Sequence, residues 1–241
     1  MRRLTVVLLA VLVALVVPHR ADAWGFEVHK YIMDRAIRLL PTEIRPFFEK
    51  YQVAIVEHAI DPDLWRTEEI YKKLVEAFTQ KGGYSRDNIK FFSSIIAHYT
   101  SDAHVPFHAA LNYDGQLSGQ WGIHSRFESE LFERYKATLQ IAPKGLVPVA
   151  NPREFIFDTL TASFPFVQPV LDADKAAVAG RDVYDDGYFA LFVAKTQPIL
   201  ETRLSDAITG VASMITSAWI EAGRPALPLD AVSPPRKVRK Q

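Results

Sequence analysis

A chain of 241 residues, 49% of them hydrophobic, is long enough for one domain with a sizeable core. Its 28 basic and 28 acidic residues give a formal net charge of zero, so composition gives no sign of a basic nucleic-acid-binding face. Cysteine is absent, which excludes disulfides, so the rigidity of an exported form would have to come from the core or from bound metal ions.

The first 23 residues have the three parts of a secretory signal peptide. Arg2 and Arg3 make the start basic, an apolar run covers residues 4–17, and Ala21-Asp22-Ala23 is typical of a cleavage site. The apolar run is short for a membrane span, and a retained anchor is the alternative. Cleavage after Ala23 would leave 218 residues that begin at Trp24, and it predicts a secreted or periplasmic protein.

Apolar residues at helical spacing recur along the rest of the chain. They predict helices over 27–40, 42–60 with an interruption near Pro46, 67–80, 85–105, 124–139, 151–164 and 188–223, the last as one helix or two. Pro165 and Pro169 are interpreted as breaks, and Ser85 as a helix cap. The predicted fold is therefore all-α, a single-domain bundle of seven or eight helices over 24–224, followed by a proline-rich, basic, disordered tail at 225–241.

The stretch from His98 to Glu128 holds four of the seven histidines in the chain. His98 and His124 each have a carboxylate four residues later, Asp102 and Glu128, and this spacing places both side chains on one face of a helix. Imidazole nitrogen with carboxylate oxygen is a donor set typical of zinc. The alternative is a pair of solvated helix faces, but the apolar neighbours of His98 favour a metal, because a buried imidazole needs a partner.

Other segments offer further donors. After cleavage, the α-amino group and carbonyl of Trp24 would be free to bind metal, and His29 follows five residues later. Asp61 stands in an Asp-Pro-Asp turn, with His58 nearby. The alternatives are that Trp24 and His29 pack in the core, and that Asp61 is a turn former.

Two longer motifs follow Trp24, His29 and Asp61 along the chain. They are HYTSDAHVPFHA at 98–109 and GIHSRFE at 122–128. Together they resemble the zinc-dependent phospholipase C family of bacteria, which is related to the single-strand-specific zinc nucleases of fungi and plants. The family patterns are HYxxDxxxPxHA and GxHSxxE. The resemblance covers about 24–133 through motifs and the remainder through helical texture.

The resemblance implies a three-zinc site. It assigns one ion to His108, His124 and Glu128, a second to Trp24 and His29, and a third to Asp61 and His98, with Asp102 bridging the last two. It also makes Asp61 the general base that orients the attacking water. One departure stands out, because the family has a further zinc-binding histidine where this chain has none between Asp61 and His98. His58 and His104 are the candidate substitutes, and the alternative for each is a histidine that makes only a local hydrogen bond.

The function implied is phospholipase C-type cleavage of phospholipid head groups by an exported zinc hydrolase. Glu128, where the nuclease branch favours Asp, and the short spacing from His108 to His124 point to the phospholipase branch. The alternatives are a single-strand-specific nuclease and a metal-stabilised homologue impaired by the missing histidine. The basic tail suggests peripheral membrane contact, and no obligate protein partner is indicated.

Overall fold

The computed structural model describes residues 26–57, 67–82 and 84–227. These residues form helices and no strand, so the predicted all-α class is confirmed for them. The α-helices are α1 (Phe26–Leu39), α2 (Arg45–Lys50), α3 (Gln52–Glu57), α4 (Thr67–Thr79), α5 (Ser85–Ala103), α6 (Ile123–Ser125), α7 (Leu131–Tyr135), α8 (Pro152–Ser163), α9 (Val167–Val178) and α10 (Asp186–Glu221). The predicted signal peptide and the tail from residue 228 lie outside the described residues.

Helix α10 is the centre of the bundle. It runs for 36 residues without a break, passes through Pro198, and packs against α1, α4, α5 and α9. Its second half is buried on nearly every side, and Ile208, Val211 and Ile215 have no exposed surface. A helix that is apolar all round belongs in the interior, because no face of it gains from contact with water. None of the helices in the described ranges has the length and apolar character needed to cross a membrane.

Prolines account for two differences from the predicted helices. Pro46 lies in the first turn of α2, and the interruption falls at Tyr51 instead. The predicted break at Pro165 is confirmed, since α8 ends at Ser163 and Pro165 lies in the short 3-10 helix Phe164–Phe166. Pro169 instead lies in the first turn of α9, a helix that the sequence did not predict. Proline is tolerated in a first turn because the N–H groups there have no partner within the helix.

The start of α5 also differs from the prediction. Ser85 is the first residue of the helix and does not cap it, since its hydroxyl donates to the carbonyl of Gly82. The cap position belongs to Tyr84, which makes no capping bond. In contrast, Asn151 caps α8 and accepts a hydrogen bond from the Glu154 N–H.

An extended segment, residues 139–150, lies along α10, and we call it the strap. Alternate backbone N–H groups of the strap donate to α10 side chains at every fourth position, with N···O distances of 2.8 to 3.0 Å. The pairs are Gln140 with Glu201, Ala142 with Ser205, Lys144 with Thr209, Val147 with Ser213, and Val149 with Ser217.

The register of the strap follows from chain geometry. Four residues of α-helix rise about 6 Å, and two residues of extended chain advance about 6 to 7 Å. Each second strap amide therefore meets the next acceptor on α10. Between Lys144 and Val147 the strap uses three residues, and not two, to reach the acceptor four residues further along α10, so it contains one extra residue there.

Replacement of Ser213 by alanine is expected to lower the free energy of unfolding by about 1 kcal/mol, because the Val147 N–H loses its acceptor. Ser213 is fully buried, so water cannot readily replace the hydroxyl. Urea denaturation measures the change. The control is Thr161→Ala, which removes an exposed hydroxyl that donates to Phe157 of its own helix. Equal losses in the two variants would contradict a stabilising role for the strap contacts.

Candidate metal centre

The first group of donors is the histidine–aspartate cluster of His29, His98 and Asp102. His29 comes from the first turns of α1, and the other two come from the last turns of α5. Nε2 of His29 lies 3.1 Å from one carboxylate oxygen of Asp102, and Nε2 of His98 lies 3.2 Å from the other. The two imidazole rings stack with their centroids 4.1 Å apart. Asp102 thus offers one oxygen to each histidine.

The second group is the histidine–glutamate cluster of His108, His124 and Glu128. His108 lies on the 3-10 helix Pro106–Ala109, His124 on α6, and Glu128 on the π-helical turn Arg126–Glu130. Nε2 of His124 lies 2.9 Å from a Glu128 carboxylate oxygen, and the rings of the two histidines meet edge to face at 4.9 Å. Each cluster has its three ligand atoms within 4.8 Å of one another.

The two clusters are neighbours. Asp102 acts electrostatically on both His108 and His124, and His29 and His98 act on His108. Four of the six cluster residues are buried, namely His29, His98, His124 and Glu128. His108 is exposed and Asp102 is partly exposed. Solvent therefore reaches the paired clusters on the side of His108 and Asp102.

The imidazoles of the histidine–glutamate cluster have lowered pKa values. Desolvation, with Asp114 and Asp102 opposing it, lowers the pKa of His124 to about 4. The His108 residue is exposed, but desolvation of its imidazole lowers the pKa of His108 to about 4 as well. The Asp102 charge opposes this shift, and the rings of His124, His29 and His98 add to it. Both imidazoles are therefore neutral at pH 7, the form in which histidine binds metal.

The hydrogen bonding of His124 tests whether this cluster fits a metal ion. The residue is buried, yet neither of its ring nitrogens makes a hydrogen bond to a described residue. Nε2 approaches a Glu128 oxygen at 2.9 Å, but the contact lacks the geometry of a hydrogen bond. Buried polar atoms are rarely left unbonded, so a cation held by His108, His124 and Glu128 fits the arrangement.

Two predicted site residues lie outside the described part of the chain. These are Trp24, the predicted terminal ligand, and Asp61, the predicted ligand and general base. His58 is also outside it. The remaining six predicted ligands are the six residues of the two clusters.

His104 belongs to neither cluster. It follows α5, its Nδ1 lies 2.7 Å from the Thr100 carbonyl, and its ring packs against α10 at Gly210. A Cβ atom at Gly210 would come within 2.8 Å of the ring, so the close approach requires glycine. His104 therefore makes a local hydrogen bond and is not a ligand in either cluster.

The pH dependence of stability is expected to report on His104. Burial lowers the pKa of His104 to about 4; the bond to Thr100 opposes the shift, and the Arg203 cation adds to it. Between about pH 6.5 and pH 4 the unfolded chain binds a proton here and the folded chain does not, so the free energy of unfolding falls as the pH falls. The loss from this residue is on the order of 3 kcal/mol and levels off below about pH 4.

Urea denaturation of metal-free protein at pH 7.5 and pH 5 would measure this effect. In the variant His104→Asn the side-chain amide keeps a donor near Thr100 but does not titrate. The stability difference between parent and variant should shrink as the pH falls. A difference that stays constant across the two pH values would contradict the assignment.

Asp114 is a nearby carboxylate that sequence reasoning missed. It lies in the loop between His108 and His124 and raises the pKa of His124 by its charge. Its Oδ1 is buried and accepts no hydrogen bond from a described residue. The only sequence signal was an acid in an otherwise uncharged loop between two predicted ligands, and turn chemistry explains an Asp before Gly equally well.

A buried ion pair positions the helix that carries His124 and Glu128. Arg126 stands between these ligands and donates to Asp174 at 2.9 Å and to the hydroxyl of Tyr188 at 3.0 Å. The same guanidinium donates to the Trp121 carbonyl at 2.7 Å, at the end of the loop that leads to His124. Gly122 then turns the chain into α6 with a φ of 78°. Contacts of this kind, made by residues that do not bind the metal themselves, orient the metal ligands.

No protein-family model matches the chain, and a search of curated proteins finds no significant match. The resemblance to zinc-dependent phospholipases C therefore rests on the motifs and on the clustering of their residues.

Proposed function

We propose that the protein is an exported, zinc-dependent hydrolase of phosphoric esters, with phospholipase C-type cleavage of phospholipid head groups as its activity. The observation that supports this most is that the predicted ligands of α1, α5 and the 106–128 region form two adjoining clusters of nitrogen and oxygen donors. Clusters of this composition suit zinc, and adjoining metal ions suit phosphate ester cleavage. The proposed fold is the bundle of that phospholipase C and nuclease type.

The residues divide into roles. His108, His124 and Glu128 would hold one ion, and His29, His98 and Asp102 would provide the donors for the others, together with Trp24 and Asp61. Bound zinc would supply activation of water and neutralisation of phosphate charge. Asp102 is suited to a bridging role, because its two oxygens face different histidines. Asp61 remains the proposed general base.

The test is hydrolysis by the zinc-loaded chain of phosphatidylcholine and, separately, of single-stranded DNA. Cleavage of the lipid is expected, and treatment with a chelator should abolish it. Glu128→Gln should lower the rate about a hundredfold or more, because a ligand loses its charge. Glu130→Gln is the matched control, since it alters the same residue type on the same helical turn.

Other outcomes separate the alternatives. Cleavage of DNA without cleavage of lipid would support the nuclease. Tight binding of two ions without hydrolysis of either substrate would support a metal-stabilised homologue impaired by the missing histidine. Absence of both zinc binding and hydrolysis would contradict the proposal.

A further inference from the structure

The loop that joins His108 to His124 exposes an unusual number of large apolar side chains. Leu111 is 89% exposed, Leu117 74%, Trp121 65% and Tyr113 52%. Single exposed apolar residues are normal, but four within eleven residues need an explanation. Because His108 precedes this loop and His124 follows it, both ends of the loop lie at the metal centre.

Hydrogen bonds within the loop fix the backbone at Leu111 and Leu117. The Asn112 side chain accepts from the Leu117 N–H at 2.7 Å and donates to the Ser118 hydroxyl at 3.0 Å. The Gln116 side chain donates to the Leu111 carbonyl at 2.6 Å. These bonds bring the backbones of Leu111 and Leu117 close together. The apolar side chains are thus presented to solvent by a loop with its own internal structure.

A second segment adds to the same surface. The ring of Tyr184, which is 45% exposed, lies 3.9 Å from the Arg126 guanidinium carbon. That guanidinium also donates to the backbone carbonyl of Trp121, so the Tyr184 ring and the Trp121 backbone contact the same cation. We call Leu111, Tyr113, Leu117, Trp121 and Tyr184 the apolar rim.

The composition of the rim indicates what it contacts. Asp114 is the one charged residue in the segment 110–122, and one of its oxygens is buried. Trp and Tyr have an apolar body and a polar end, which suits them to the boundary between lipid and water. The loop itself carries no cation to attract an anionic surface, so its chemistry fits a neutral one.

We propose that the apolar rim docks on the surface of a zwitterionic lipid layer and so holds the metal centre against that surface. The purpose of this contact rests on the proposed function, because head groups presented there would reach the side of the clusters where His108 is exposed. The binding itself requires no hydrolysis. It can therefore be measured separately.

Sedimentation of the zinc-loaded full chain with phosphatidylcholine vesicles tests the proposal. The double variant Leu117→Ser, Trp121→Ser should partition about tenfold more weakly, because two apolar side chains no longer enter the interface. The backbone carbonyl of Trp121 that binds Arg126 is retained. The matched control is Phe157→Ser, Leu191→Ser, which removes exposed apolar side chains from α8 and α10 and should bind within about twofold of the parent.

Circular dichroism and thermal unfolding would show that each variant is folded, and Leu111→Ser alone provides a second rim variant if the double variant is not. Unchanged vesicle binding by the folded rim variants, or equal losses in the control, would overturn the proposal. The hydrolysis rate on vesicles, divided by the rate on the soluble ester bis(p-nitrophenyl) phosphate, should also fall in the rim variants. If the parent hydrolyses neither, the proposed function fails, while vesicle binding still decides the role of the rim.

Discussion

Zinc at about a hundred times its dissociation constant is expected to raise the free energy of unfolding by about 3 kcal/mol for each occupied cluster. The reason is that each cluster takes its ligands from separate structural elements, so the unfolded chain has no preformed site. His29 of α1 meets Asp102 of α5, for example, at 3.1 Å. Thermal and urea unfolding at pH 7.5, with zinc and with chelator, would measure the increment.

Variants assign the increment to each cluster. Glu128→Gln should lose the part that comes from the histidine–glutamate cluster and keep the remainder, whereas Glu130→Gln should keep both. Atomic absorption on the same samples should show the loss of one ion in Glu128→Gln. An unfolding curve that is the same with zinc and with chelator would contradict the assignment of these clusters to metal.

Replacement of Arg126 by methionine is expected to lower the free energy of unfolding by about 3 to 5 kcal/mol. The substitution removes the cation that pairs with Asp174, whose side chain is 1% exposed, so a carboxylate is left buried without its charge partner. The Trp121 carbonyl and the Tyr188 hydroxyl lose a donor as well. Urea denaturation in the presence of chelator measures the loss without a contribution from metal.

The control for this variant is Arg134→Met, which breaks an exposed ion pair with Asp186 and should cost at most about 1 kcal/mol. The double variant Arg126→Met, Asp174→Leu should recover part of the stability, because no charge is then buried. Arg126→Met should also weaken zinc binding in the histidine–glutamate cluster by about ten- to a hundredfold. A loss as small as that of Arg134→Met would show that the buried pair does not position the helix.

The contacts between site residues that are close in sequence could be predicted from the sequence. His98 and Asp102, and likewise His124 and Glu128, are four residues apart, and helical geometry alone brings each pair together. The contact between His29 and Asp102 could not be predicted from the spacing of residues along the chain, because it depends on how α1 packs against α5. The motif resemblance placed them in one site, while the predicted contributions of Trp24 and Asp61 stay predictions.

The fold was predicted well where one apolar stripe marks a helix and poorly where tertiary contacts decide. Helix α1 was found almost to the residue, and α9 was missed because Pro169 suggested a break. The π-helical turn that carries Glu128 was not predicted from the sequence. Arg126 stood inside a motif, but its partners are 48 and 62 residues away.

The strap shows how the backbone N–H groups of an extended segment can find hydrogen-bond acceptors without a sheet. Hydroxyl and carboxylate oxygens repeat along α10 at nearly the spacing of alternate amides in a strand, so the helix takes the place of a neighbouring strand. In amide hydrogen exchange, the N–H groups of 140, 142, 144, 147 and 149 should exchange slowly, and those of 141, 145 and 146 faster. Pro143 and Pro148 have no N–H. That alternation would look like an edge β-strand, although the described residues contain no sheet.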